Sequence, residues 1–241
     1  MMLVTGCNET YQHRLNAYLD TLEHNADFPV YFVGVDFLPA RASAKVTAVT
    51  ISQEQNAGAP PQTECIQHGS FVQVVPGKLS DVIIYTDGDF LMQRGMDDSE
   101  RALLNLKKGQ VAIGYNGSAA ETLTKEASRL GQRISDMDMW ELWGDWADLP
   151  IYNAGCMAAT RATWAALHEA YMARWGDACE SFTHQARQQW LISWLIGTHF
   201  KPVILPWSFH AHGHFGMKPG MEWGAGGIWA DGKLALFRHY L

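Results

Sequence analysis

Cysteine is scarce in this 241-residue chain, and its four thiols, Cys7, Cys65, Cys156 and Cys179, form no Cys-x-x-Cys pair. That spacing excludes a zinc knuckle and argues against a disulfide scaffold; it suits reduced thiols in the cytoplasm. Positive charge is also scarce: 18 Lys and Arg face 25 Asp and Glu, a formal net charge of -7. Such a balance disfavours nucleic acid as a partner, although a local basic patch would survive within it. Long apolar runs are missing too. The most apolar stretch, Trp190 to Gly197, is far too short to span a bilayer, and the opening Met1 to Gly6 lacks the basic and apolar regions of a signal peptide. Neither a linker, a repeat nor a low-complexity segment interrupts the sequence. What is present is a composition 47% hydrophobic and 18% charged, which predicts one globular unit spanning 1–241 with a substantial core.

Short β-branched runs alternate with helical periodicity. Met2 to Thr5 reads as a strand, and Glu9 to His24 as a helix with Tyr11, Leu15, Tyr18, Leu19 and Leu22 on one face. Val30 to Val35 and Val46 to Ile51 read as further strands. Ser52 to His68, with Asn56, Gly58, Pro60 and Pro61, is a polar, turn-rich excursion. Strands follow at Val82 to Thr86, Gln110 to Tyr115, Ile151 to Thr160 and Pro202 to Leu205. Helices are predicted at Asp98 to Lys107, Glu121 to Leu130, Arg161 to Trp175 and Ser181 to Ile196. This alternation predicts an α/β fold with a mostly parallel central sheet flanked by helices.

The chemistry-bearing residues gather where strands end. Asp87-Gly88-Asp89 closes the apolar run Val82 to Thr86, and two carboxylates one residue apart need an oxygen-seeking cation such as Mg2+ or Mn2+ to relieve their repulsion. Asp-Gly is equally the two-residue turn of a β-hairpin, with Ile83 to Thr86 and Phe90 to Met92 as arms. The chain supplies a comparison in Ile228 to Leu236, an alternating segment with Asp231-Gly232 at its turn and no second acid. Three imidazoles, His210, His212 and His214, follow the last core strand, close to Lys218 and Pro219. Imidazole is an effective ligand for Mn2+ and its neighbours; a cupin-like His-x-His site would need a glutamate nearer than Glu222. Asn153-Ala154-Gly155 enters a strand with small residues that let backbone approach a ligand. Thr5 to Tyr11 forms a loop at a strand's carboxyl end, where ligands of parallel sheets bind. Trp140, Trp143 and Trp146, among five acids between Asp136 and Asp148, form either a helical face packed on the core or an aromatic platform for a sugar ring.

The order of these features resembles the GT-A fold glycosyltransferases, Rossmann-like nucleotide-diphospho-sugar transferases, most closely the retaining family that includes glycogenin and bacterial lipopolysaccharide galactosyltransferases. The resemblance runs from Thr5 to Pro219. It implies a hexosyltransferase that moves a sugar from a nucleotide-sugar, a UDP-sugar, to an acceptor hydroxyl with retention. It also implies Mn2+ or Mg2+ on Asp87, Asp89 and His212, the histidine six residues before Lys218. Donor binding would fall to Thr5, Cys7, Asn8, Tyr11, Lys78, Asp87, Gly88 and Lys218. Gln189 would sit near the anomeric carbon, with Asn153 orienting the sugar and Lys218 facing the leaving diphosphate. Where the family has Asp-Gln, this chain has Gln188-Gln189; where it has tryptophan after Lys-Pro, this chain has Gly220. Two alternatives remain: a nucleotidyltransferase or sugar-nucleotide pyrophosphorylase, against which Thr5 to Tyr11 lacks basic residues, and a catalytically silent sugar-nucleotide-binding protein. The acceptor, whether sugar, glycan, protein or modified base, leaves no signature beyond the Trp140 to Trp146 region with Asp136 and Asp138.

Overall fold

In the computed structural model, residues 1–9, 12–38, 45–56, 68–78, 80–118, 150–181, 187–211 and 220–239 are described. Among these residues the apolar runs become the strands of one seven-stranded sheet. They are β1 (Met2–Asn8), β2 (Val30–Val35), β3 (Val46–Ile51), β4 (Val82–Asp87), β6 (Gln110–Ser118), β7 (Pro150–Thr160) and β8 (Lys201–Leu205), in the order β3-β2-β1-β4-β7-β6-β8. Six strands point the same way; β7 alone runs against both of its neighbours, β4 and β6. The expected parallel sheet is therefore present, with one reversed strand near its middle.

Helices cover both faces. On one side Val4, Ile83, Tyr85 and Met157 pack with α2 (His68–Val74), α4 (Arg161–Ser181) and α5 (Arg187–His199), among them Trp164, Leu191 and Leu195. On the other, Leu3, Cys7, Ile84 and Ala158 meet Leu15, Tyr18 and Leu22 of α1 (Gln12–Asn25). Because successive side chains of a strand alternate between faces, Leu3 and Val4 enter different cores, which is why the strands read as unbroken apolar runs.

Several boundaries move for physical reasons. Strand β1 continues beyond Thr5 to Asn8 because its parallel pairing with β2 persists to Val35. Helix α3 (Asp98–Leu103) starts on a capping box, in which Asp97 accepts from the Glu100 backbone and Glu100 returns to Asp97. It stops well before Lys107, at Leu104. Helix α4 runs past Trp175 through Gly176, and His68 belongs to α2 and not to the preceding excursion. The predicted helix at Glu121 to Leu130 lies outside the described residues.

The two Asp-Gly pairs part company. Asp231 and Gly232 both adopt positive φ, 54° and 79°, and join β11 (Gly227–Ala230) to β12 (Lys233–Leu234) as an antiparallel hairpin. This is the conformation that a two-residue hairpin turn requires. Asp87 and Gly88 do not adopt it. Strand β5 (Phe90–Met92) leaves the central sheet and joins β9 (His210–Ala211) and β13 (Phe237–His239) in a small sheet of order β5-β13-β9. The hairpin alternative for Asp87-Gly88 is thus overturned: the pair is a crossing between two sheets.

This small sheet is tied down by a polar cluster beside β10 (Met221–Gly224), β11 and β12. Gln93 accepts from the Ile228 amide and donates to the Ile228 and Ala235 carbonyls. Arg94 donates to the Leu234 carbonyl at 2.5 Å and pairs with Glu100, which is 1% exposed. Lys233 bridges Glu100 and Asp97. Removing Glu100 would take from Arg94 and Lys233 their one buried carboxylate and leave them Asp97, and breaking a pair with a buried member costs about 3 kcal/mol. Chemical denaturation of Glu100→Ala is expected to show a loss of that order, against a loss within about 0.5 kcal/mol for an exposed control such as Glu169→Ala.

Candidate metal and donor site

The reversed direction of β7 builds the site. Its register with β4 sets Thr86 opposite Cys156, so the entrance of β7, with Asn153 and Gly155, meets the carboxyl end of β4 where Asp87 stands. The Gly155 amide donates to Asn153 Oδ1 at 2.9 Å. A methyl group on Gly155 would lie 2.7 Å from Asp87 Oδ2, 3.0 Å from Asn153 Oδ1 and 3.3 Å from His239 Nε2. Three polar side chains from three strands therefore converge on the space that glycine leaves open.

One of the three comes from the far end of the chain. Strand β13 pairs antiparallel with β5 in the register His239 to Phe90, which carries His239 to the residue after Asp89. Its ring meets Phe90 edge-on at 4.3 Å between centroids. Asp87, Asp89 and His239, all half-buried, offer ligand atoms that lie within 4.8 Å of one another, a spacing that fits a single divalent cation.

The carboxylates are electrostatically loaded. Burial, and next the charge of Asp87, raise the pKa of Asp89, while His239 and Arg14 oppose the shift. Arg14 reaches Asp89 Oδ2 from α1 at 3.3 Å. Asp89 Oδ1 is buried without a hydrogen-bond partner among the described residues. Asp87 Oδ1 accepts the Tyr85 hydroxyl at 2.9 Å, and burial, then Asp87 itself, hold that hydroxyl protonated. A buried acceptor with no donor beside a second carboxylate is an environment that a cation completes. The two carboxylates fit Mn2+ or Mg2+ in hardness, and the imidazole suits Mn2+ better than Mg2+.

The other predicted residues fall into three groups. Gly6 of β1 lies opposite Asp87, which places Cys7 and Asn8 just beyond it; Gly88 packs so closely there that a methyl group would stand 3.4 Å from Cys7 Cβ. The Cys7 thiol is pushed up to about 12 by burial and then by Asp89, and burial raises Cys156 as well. Without a cation beside them, both stay neutral thiols. Gln189 is half-buried in the first turns of α5, and its carbonyl accepts from Ser193 Oγ at 2.7 Å, while that oxygen accepts from the Tyr152 amide. Cys7, Asn8 and Gly88 share the carboxyl edge of the sheet with Asp87, and the backbone of Gln189 is linked through Ser193 to the entrance of β7.

Thr5 and Lys78 do not join them. Thr5 is wholly buried beneath the surface. Lys78 is exposed in a turn closed by Asp81, ahead of β4, and the length of that strand, about 20 Å for six residues, separates it from Asp87. Tyr11, His212, His214, Lys218 and the Trp140 to Trp146 segment lie outside the described residues. His210 is buried, with its ring 5.7 Å from that of His239. His239 carries no sequence signal of its own: it stands alone in Phe237-Arg238-His239, and only the non-local pairing of β13 with β5 brings it to the carboxylates.

In sequence the chain matches no protein-family model and no curated protein. Solved structures do match it. The galactosyltransferase LgtC, in complex with donor and acceptor sugar analogues, superposes with a TM-score of 0.64 at 11% identity, covering 100% of this chain and 87% of that one. Mouse xyloside xylosyltransferase 1 gives 0.57 at 13%, covering 99% and 96%. The glycosyltransferase GlyE of Streptococcus pneumoniae TIGR4 gives 0.56 at 14%, covering 100% of this chain and 54% of that one. The chain has the fold of GT-A glycosyltransferases, and its Asp87, Asp89 and His239 could hold a metal ion.

Proposed function

We propose that this protein is a metal-dependent glycosyltransferase that moves a sugar from a UDP-sugar to an acceptor hydroxyl with retention of configuration. The observation that carries the reading is the meeting of Asp87, Asp89 and His239 at the carboxyl edge of a sheet with this fold. These three side chains would hold Mn2+ or Mg2+, with His212 the further candidate that the family spacing suggests. A divalent cation there supplies positive charge to the diphosphate of the donor.

In the transfer, the bond between the anomeric carbon and the diphosphate oxygen breaks, and its electron pair leaves on the phosphate. The acceptor oxygen forms the new bond from the same face, and its proton passes to the departing phosphate oxygen. Charge on that leaving group is what the protein must stabilise, and Lys218 is assigned to it. Asn153 is assigned to orienting the sugar and Gln189 to a position near the anomeric carbon; an amide is a poor nucleophile, which favours same-face attack over a covalent intermediate. No pair of carboxylates flanking the sugar is required, unlike in glycosidases. Cys7, Asn8 and Tyr11 are assigned to the nucleotide.

Incubation with UDP-sugars and Mn2+ tests the reading. Slow, metal-dependent release of UDP is expected; pyrophosphate-dependent release of UTP would instead identify a pyrophosphorylase, and binding without turnover a silent binding protein. Losing one charged ligand forfeits on the order of several kcal/mol of stabilisation, so Asp89→Asn should lower turnover by at least about a hundredfold. Unchanged turnover would rule the site out.

Stability gives a second reading of the same residue. A carboxyl whose pKa is raised on folding keeps a proton that the unfolded chain has already released. Its ionisation therefore subtracts from stability as pH rises through that window, and the loss persists at neutral pH. Metal-free Asp89→Asn is accordingly expected to melt above the metal-free wild type at pH 7. Mn2+ is expected to raise the melting temperature of the wild type only. For Gly155→Ala, whose backbone conformation an alanine can adopt, the new methyl displaces Asp87, and calorimetric titration should show Mn2+ binding weakened by about ten- to a hundredfold with the circular dichroism unchanged.

A further inference from the structure

Asp87 presents its two oxygens to different surroundings. Oδ1 receives the Tyr85 hydroxyl at 2.9 Å. Oδ2 turns to the space over Gly155 that His239 Nε2 also borders. Tyr85 has little freedom to release its carboxylate. The residue is 1% exposed, with Phe71 and Trp164 against its ring at 6.4 Å and 6.3 Å between centroids. Trp164 is in turn fixed by its indole N–H to the Ile83 carbonyl at 3.0 Å. The backbone of Tyr85 sits mid-sheet, opposite Val4 of β1 and Met157 of β7.

We infer that Tyr85 is a positioning residue that restricts Asp87 to one ligating oxygen, and that it thereby selects a small six-coordinate cation such as Mn2+ or Mg2+ over Ca2+. The chemistry rests on coordination number. Ca2+ takes six to eight oxygens and readily uses both oxygens of a carboxylate, at roughly 2.3 to 2.6 Å. Mg2+ requires near-octahedral geometry at roughly 2.0 to 2.1 Å and takes its carboxylates singly. With Oδ1 held on the tyrosine, Asp87 presents Oδ2 to an ion beside His239, and chelation through both oxygens would compete with that hydrogen bond. The imidazole, softer than any oxygen ligand, favours Mn2+ over Ca2+ in the same direction. Second-sphere hydrogen bonds of this kind orient a ligand and typically change metal affinity by about ten- to a hundredfold.

The inference rests on the metal site of the proposed function, and the experiment separates the two. Dissociation constants for Mn2+ and Ca2+ are measured by calorimetric titration of the full chain, wild type and Tyr85→Phe, without nucleotide or sugar. Phenylalanine keeps the ring contacts with Phe71 and Trp164, and circular dichroism checks the fold. The expected result is a wild type that prefers Mn2+ by at least about tenfold, and a variant in which Mn2+ weakens about tenfold while Ca2+ holds or tightens. A ratio that Tyr85→Phe leaves unchanged, including one in which both ions weaken together, overturns the role of Tyr85 and leaves the metal site standing. A wild type that binds Ca2+ as tightly as Mn2+ overturns it without any variant. A wild type that binds neither ion removes the metal site and the inference with it.

Discussion

Two carboxylates held one residue apart, half-buried, at the end of a central strand are the constraint around which this protein is arranged. Burial and mutual repulsion raise the pKa of Asp89, and His239 and Arg14 oppose that shift without cancelling it; Arg14 approaches one oxygen of Asp89 from a half-exposed position, where ion pairs contribute at most about 1 kcal/mol. A fold that keeps such a pair accepts a local loss of stability, a pattern expected where charge is reserved for a ligand. The surrounding architecture follows from holding the pair in place. Tyr85 fixes one oxygen of Asp87, and Gly88 is pressed against the end of β1. Gly155 leaves space on the neighbouring strand.

The reversed strand β7 and the returning strand β13 give that space its walls. A parallel neighbour to β4 would begin at the far edge of the sheet; β7, running the other way, delivers Asn153 and Gly155 to the carboxyl edge at its entrance. Strand β13 returns the end of the chain to β5, three residues beyond Asp87, and sets His239 in register with Phe90. The polar cluster of Gln93, Arg94, Glu100 and Lys233 fastens the small sheet from behind. The position of His239 therefore depends on contacts well outside the site.

Much of this was legible in the sequence where the signal is local. The central strands, buried on both faces, advertise themselves as unbroken apolar runs, and Asp87, Asp89, Asn153 and Gly155 stand out because strand ends concentrate function. The comparison of the two Asp-Gly pairs also held physically: Asp231-Gly232 takes the left-handed turn that a hairpin needs, and Asp87-Gly88 does not. What could not be read was non-local. The reversal of β7 and the partner of β13 depend on pairings across long stretches of chain, and a single histidine near the end carries no periodicity or motif. Lys78 illustrates the converse, since closeness in sequence to a functional strand put it at the wrong end of that strand.

The central claim is that Asp87, Asp89 and His239 form one cation site. It is tested most directly by a crystal structure of the wild-type protein grown with Mn2+, with diffraction recorded at a wavelength where manganese scatters anomalously. A single strong anomalous peak bonded to Asp87 Oδ2, an oxygen of Asp89 and His239 Nε2, with Asp87 Oδ1 still on the Tyr85 hydroxyl, is the predicted result. A peak that lies elsewhere, or one held by the carboxylates with His239 turned away, would contradict it.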